Sequence, residues 1–427
     1  MEKGKIRIAY TCIIAFFVIA FVTFVLTPFM TDQRTFSASA HIASYKGVNL
    51  FYDAYNTWEI KGVFNRVLVY AMYNTATLFT DFGTFPFERA MKLIYACIIT
   101  LFSLVSVLLA FREKSNVFKA FAFFFLAIVF LANNHWEAFQ PEMSGTLFLV
   151  LGFALYINAE QSKHYGTLKL LAAGLCIGIT FFFKSATLIM SVAFVAAAYL
   201  WDVNHNCKPT FRKLLLLVAG SIIMLAIGIA SILIINPDEM QDMLYASIFQ
   251  RTLLNGGEIH ILRIGHVFLF KYIEASLVRI PFIIIGTVAL LFNVFCALRN
   301  KSYTIAGMHI VLWAMPALFV IISNGYLGYH YFTFIFPSIF EFMIFSESLN
   351  MGMRQLKVWT MSIAVFIALI LYLSTISIFS PITKSYIRLT EEVYRQNTEY
   401  AQMNINEPVL YLDGGIGPYL LKADSYL

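Results

Sequence analysis

Residues 170–201 read "LLAAGLCIGITFFFKSATLIMSVAFVAAAYLW", 32 residues with a single charged side chain, Lys184. As one helix the stretch is about 48 Å long at about 1.5 Å per residue, against a hydrocarbon core of roughly 30 Å. A single crossing would require extreme tilt. Two short crossings joined at Lys184 fit a bilayer, and they leave a lysine at a membrane boundary with apolar sequence on both sides. An ionisable group so placed requires a partner or an anionic ligand.

The rest of the chain repeats the pattern. Its 427 residues are 60% hydrophobic, 17% aromatic and 13% charged, whereas an average soluble domain carries about 25% charged residues. Apolar runs of membrane length recur throughout, so the fold class is an all-α polytopic membrane protein of about 11 transmembrane helices. The spans are expected near 9–29, 90–110, 118–133, 143–159, 168–183, 186–201, 214–235, 280–298, 304–322, 330–345 and 358–379. The first follows a basic start, and its run from Ile8 to Thr31 carries no charge. That exceeds the ~7–15 apolar residues of a signal sequence, so it reads as a retained span. Four cysteines, Cys12, Cys97, Cys176 and Cys296, fall in spans and Cys207 falls in a basic loop, which suggests neither a metal site nor a disulfide framework.

Short connections at 112–119, 160–169, 204–213, 299–301 and 354–357, with the first seven residues, hold half of the 30 Lys and Arg. The positive-inside rule places them in the cytoplasm. The net charge of +6 thus reflects topology rather than a nucleic-acid surface. The N-terminus is then cytoplasmic and the C-terminus extracytoplasmic, with the long connections 30–89 and 236–279 outside. Residues 1–379 form the transmembrane domain and 380–427 a short extracytoplasmic segment. Within the first outer loop, "VLVYAMYNTATLF" (67–79) is too short and polar to span and reads as an interfacial helix.

Five sets of polar residues converge on that outer boundary: Asp32 and Arg34; Lys61 and Arg66; Glu137 and Glu142; Lys184; and His330 with Tyr331. Each has a structural reading beside a functional one. Asp32 suits the polar flank of a helix end, Lys61 and Arg66 suit interfacial anchors, and Glu142 after Pro141 complements a helix dipole. His260, His266 and His309 read as structural. A polyprenyl-phosphate ligand accounts for the combination: its tail needs a lipid-facing groove, its phosphate needs Lys or Arg, and a reacting sugar carbon needs a carboxylate to deprotonate the attacking hydroxyl.

The stretch "LTPFMTDQRTF" (26–36) resembles the Asp-Glu-x-x-Tyr-type motif of GT-C membrane glycosyltransferases, notably the lipid A aminoarabinose transferases and protein O-mannosyltransferases. Asp32 matches the family's acidic position, with Gln33 and Phe36 at the second acid and the aromatic. "WEIKGVF" is similar to the Lys-Pro-Pro stretch, with Lys61 at the lysine and Gly62 and Val63 at the prolines. "FQPEMSGTLFLVLGFALY" aligns Glu142 with an acid at the fourth span, "GLCIGITFFFKSATLI" places Lys184 at a lysine, and "GYHYFTFIFPSIF" matches a late motif through His330, Tyr331 and Pro337. The resemblance implies an inverting transfer of a sugar from a polyprenyl-phosphate donor to a glycan, lipid or protein acceptor on the outer face. Asp32 and Glu142 would be the catalytic acids; Arg34, Lys61, Arg66, Lys184, His330 and Tyr331 would bind substrate. Some such enzymes use a divalent cation, Mg or Mn, and the location implied is the plasma (inner) membrane. The alternative is a transporter or flippase for a lipid-linked or sugar substrate, which would favour internal repeats and charges at the midplane.

Overall fold

The computed structural model describes residues 2–27, 62–133, 139–162, 166–235, 272–274, 280, 282–322 and 328–348, with positions 29, 33, 36, 37, 40, 41 and 44. Among these the chain is helical, without strands: α1 Glu2–Leu26, α2 Val63–Thr77, α3 Phe85–Ala110, α4 Asn116–Asn133, α5 Pro141–Glu160, α6 Gly166–Phe183, α7 Met190–Asn204, α8 Phe211–Ile235, α9 Phe282–Arg299, α10 Tyr303–Ile322 and α11 Ile335–Ser348. Seven described helices are long and apolar enough to cross a bilayer, and two shorter apolar ones are Tyr10–Leu26 and Asn116–Ala132. The expected span 358–379, the segment 380–427 and most of 236–279 lie outside the described residues.

The 32-residue run does fold as two helices. α6 stops at Phe183, Lys184 is extended at φ −161° and ψ 123°, and a short 3-10 turn, Ser185–Ile189, leads into α7. The Thr187 hydroxyl holds the break, placed 2.7 Å from the Thr180 carbonyl and 2.6 Å from that of Lys184.

α5 is the most enclosed of the spanning helices and packs against α3 and α6, while α6 packs against α8. The α6–α8 contact is backbone on backbone. A methyl group on Gly174 would lie 2.3 Å from the Leu217 carbonyl oxygen, and one on Gly220 2.2 Å from that of Leu171. Small residues let apolar helices approach where lipid offers little drive for association. α8 turns Ile222, Ile223, Ile227 and Ile234 outward.

The expected interfacial helix is α2, longer at its start than 67–79. It buries Val63, Arg66, Val69, Met72, Tyr73 and Ala76, a stripe at helical spacing, and leaves Leu78 and Phe79 exposed past its end. Two boundaries differ from the sequence reading. α3 begins at Phe85 rather than 90, because the Thr84 hydroxyl accepts the Phe87 N–H at 3.3 Å and Pro86 suits a first turn. The span expected at 330–345 opens with a 3-10 turn, Gly328–Phe334, before α11.

The basic connections gather at one end of the bundle. There Asn158 donates to the Leu109 carbonyl at 2.7 Å, and Lys213 bridges Glu160 at 2.7 Å and Asp202 at 2.9 Å. The break at Lys184 and the starts of α2, α3 and α5 lie at the opposite end.

Candidate active site

Glu142 sits in the first turn of α5, where an acid is favoured by the helix dipole, and is fully buried. The chain enters this helix through Phe139, held at φ 70°. Lys184 donates to Glu142 Oε1, and His330 Nε2 lies 3.5 Å from the same oxygen. The Phe319 ring of α10 closes the group, 5.2 Å from the Lys184 ammonium and edge-on to the His330 ring at 6.0 Å. The extended residue ending α6 and the 3-10 turn before α11 thus deliver a lysine and a histidine to one carboxylate. All three side chains are nine-tenths or more buried, so the charges interact in a medium that screens them far less than water does.

The start of α2 is joined to this group through the backbone. The Gly62 N–H donates to the Phe183 carbonyl at 3.2 Å, next to Lys184, and a methyl group on Gly62 would fall 2.1 Å from the Phe182 carbonyl oxygen. Any side chain there would force the strands of backbone apart. Phe64 adds ring contacts at 5.1 Å to Phe182 and 6.3 Å to Phe183. Asn65 and Arg66 follow, both buried in the first turn of α2.

A third connection comes from the end of the first helix. The Phe29 N–H donates to Glu88 Oε2 at 2.9 Å. The Phe29 ring meets Phe139 edge-on at 5.4 Å, and Phe139 meets Tyr95 at 5.1 Å. Tyr95 in turn shares a hydrogen bond of 3.0 Å with Ser144, one residue pair beyond Glu142. Lys92, fully buried, lies one helical turn beyond Glu88 with its ammonium 5.6 Å from the Phe24 ring centroid. Farther along the first loop, His41 stacks on Phe82 at 4.0 Å and shares a 2.7 Å hydrogen bond with the Tyr73 hydroxyl. Burial lowers the His41 pKa, and burial with the nearby Tyr70 raises that of Tyr73 to about 12.

Of the residues singled out from sequence, the structure brings Glu142, Lys184 and His330 together and buries Arg66 on the helix that abuts them. Tyr331 is buried in an aromatic group, 6.3 Å from Tyr272 and 6.0 Å from Phe334. Asp32, Arg34, Lys61 and Glu137 lie outside the described residues. Sequence reading passed over Glu88, Lys92 and Asn65. An acid and a base at i and i+4 in "ERAMK" (88–92), opening a span, is the signal that marks the first two. His309, expected to be structural, donates to or accepts from Glu341 at 2.8 Å, and Asn293 donates to the same carboxylate at 2.7 Å, which ties α9, α10 and α11 together. A small apolar cavity of about 50 Å³ between α3, α4, α5 and α11, lined by Val107, Phe125, Phe153 and Phe340, lies toward the basic-loop end and apart from these charges.

The described helices form a polytopic membrane bundle that carries at its mouth a carboxylate engaged by a lysine and a histidine, with α2 strapped beside it. Among solved structures, the fold is similar to that of a membrane protein solved on a lipid phosphate. ArnT from Cupriavidus metallidurans, solved bound to undecaprenyl phosphate, superposes with a TM-score of 0.56 at 14% identity, over 94% of this chain and 70% of that one. The Archaeoglobus fulgidus oligosaccharyltransferase, solved with Zn and sulfate, gives a TM-score of 0.45 at 13% identity, over 88% of this chain and 56% of that one. No protein-family model and no curated protein sequence matches the chain.

Proposed function

We propose that this protein is an inverting glycosyltransferase that moves a sugar from a polyprenyl-phosphate donor to an acceptor hydroxyl at the extracytoplasmic face of the plasma (inner) membrane. The observation that carries the reading is the buried constellation of Glu142, Lys184 and His330, joined through Gly62 to the start of α2. The fold shared with a protein solved on undecaprenyl phosphate supports it.

In this reading Asp32 is the base. Its carboxylate takes the proton of the acceptor hydroxyl as that oxygen attacks the anomeric carbon; the bond from that carbon to the phosphate oxygen breaks, and polyprenyl phosphate departs with the electron pair. Lys61, Lys184, Arg66 and Arg34 stabilise the charge that develops on the departing phosphate. Glu142 holds the Lys184 ammonium at the boundary, and His330 bears on the same oxygen; Tyr331 supports that wall of the pocket. Oε1 of Glu142 is already engaged by an ammonium and an imidazole, and no step is routed through a divalent cation.

The test is transfer from labelled polyprenyl-phosphate sugars by the purified full chain, with Asp32→Asn and Lys184→Met beside Lys213→Gln, which alters the other end. Loss of transfer in the first two and its retention in the third is the expected outcome. Equal transfer by wild type and Asp32→Asn removes Asp32 from the chemistry. Passage of intact labelled lipid across proteoliposomes without transfer replaces the reading with that of a flippase.

A further inference from the structure

Asn65 is 1% exposed, and among the described residues neither its amide nitrogen nor its amide oxygen has a hydrogen-bond partner. A buried amide in that state is destabilising, so its presence asks for an occupant. Its position narrows the choice. Asn65 lies in the first turn of α2, with its N–H bonded to the Gly62 carbonyl at 2.9 Å, while the Gly62 N–H holds the carbonyl that precedes Lys184 at 3.2 Å. This end of α2 has no side-chain cap and no acid in its first turn. A helix of 15 residues so terminated favours an anion nearby.

An amide offers one acceptor and two donors. A fully ionised phosphate monoester or diester presents acceptors only and would leave the amide oxygen unmatched. A sugar hydroxyl is both donor and acceptor, and a vicinal pair of hydroxyls satisfies both ends of a carboxamide at once. We infer that Asn65 binds hydroxyls of the sugar carried by the donor, beside the phosphate held by the neighbouring cations, and so determines which sugar is accepted. This deepens the glycosyl-transfer reading and rests on it.

The experiment measures binding of decaprenyl phosphate and of a set of hexosyl phosphodecaprenols (gluco, manno and galacto) to the detergent-solubilised full chain, with unfolding midpoints recorded without lipid. Asn65→Leu and the smaller Asn65→Ala are compared with wild type. The expected result is that at least one variant is as stable as wild type or more so when empty and binds decaprenyl phosphate unchanged. The same variant binds the preferred hexosyl lipid about 10–100-fold more weakly, the loss expected when two hydrogen bonds to substrate hydroxyls are removed. Two variants that unfold earlier yet keep the wild-type ratio of affinities for sugar-bearing and sugar-free lipid show a structural amide and overturn the inference alone. Wild type that binds neither lipid overturns the donor assignment and this inference with it.

Discussion

The two ends of the bundle use charge in opposite ways. At the basic-loop end Lys213, 16% exposed, lies between Glu160 and Asp202 at 2.7 and 2.9 Å, and His205 meets Glu347 at 3.2 Å with about a third of each side chain in contact with solvent. These pairs staple α5, α7, α8 and α11 where water reaches Lys213, Glu160, His205 and Glu347, and the Glu160 and Asp202 carboxylates and the Cys207 thiol lie within 4.8 Å of one another with the Lys213 ammonium already between the acids. At the opposite end Glu142, Lys184, His330, Glu88 and Lys92 are all at most 9% exposed. Burying ionised groups is expensive, and well-packed apolar residues would stabilise the same space as well or better. Buried charge also occurs elsewhere, at Asp202 and at the Glu341–His309 pair, but the densest group of it, two acids, two lysines and a histidine, stands at the end where α2 is strapped across the bundle, which supports the proposed site for a charged headgroup.

The contrast is broken most sharply by removing one buried partner. Lys184→Met deprives the buried Glu142 carboxylate of its ammonium partner and is expected to destabilise the protein by about 3–5 kcal/mol, with most of the loss restored by adding Glu142→Gln. Unfolding midpoints in detergent check both, and a Lys184→Met protein as stable as wild type would show that the pair is not buried. Next in size is Gly62→Ala. Its methyl group has no room against the Phe182 carbonyl oxygen 2.1 Å away, so the start of α2 must shift, at about 1–3 kcal/mol, and transfer should fall further than stability does.

At the basic-loop end the effects shrink. Lys213→Met removes two charge-assisted hydrogen bonds, one to the buried Asp202, and is expected to cost about 1.5–3 kcal/mol without altering the proposed transfer by the folded protein. The smallest effect is that of His205. Burial pulls its pKa down, but hydrogen bonding and charge from Glu347, with the Trp201 carbonyl, raise it above the ordinary 6.5. The group therefore contributes stability that is complete below pH 6.5 and is lost as the pH rises through the elevated folded value. Solvent screening holds this to about a few tenths of a kcal/mol. A pH-stability profile that Glu347→Gln leaves unchanged would contradict the assignment.

Much of the fold is legible in the chain because the bilayer imposes a length on every apolar run. The break at Lys184, the start of α5 at Pro141 and the amphipathic α2 follow from run length, turn chemistry and periodicity. Glu88 was absorbed into an outer loop because the onset of apolar sequence at 90 masks a helix that a threonine cap begins five positions earlier. Asn65 carries no local signal: an asparagine in a helix is unremarkable until its neighbours are known to offer it nothing.

The sequence by itself determined the membrane class, the positions of most spans and the presence of ionisable residues at their ends, since hydrophobic length and charge are properties of contiguous residues. Only the tertiary structure decided that Glu142, Lys184 and His330, separated by as many as 188 positions, share one carboxylate oxygen. It alone showed that Gly62 locks α2 onto the Lys184 break and that Asn65 is buried without a hydrogen-bond partner among the described residues. Those facts depend on distances between elements, and the order of residues along a chain does not fix the distance between helices that meet only after folding.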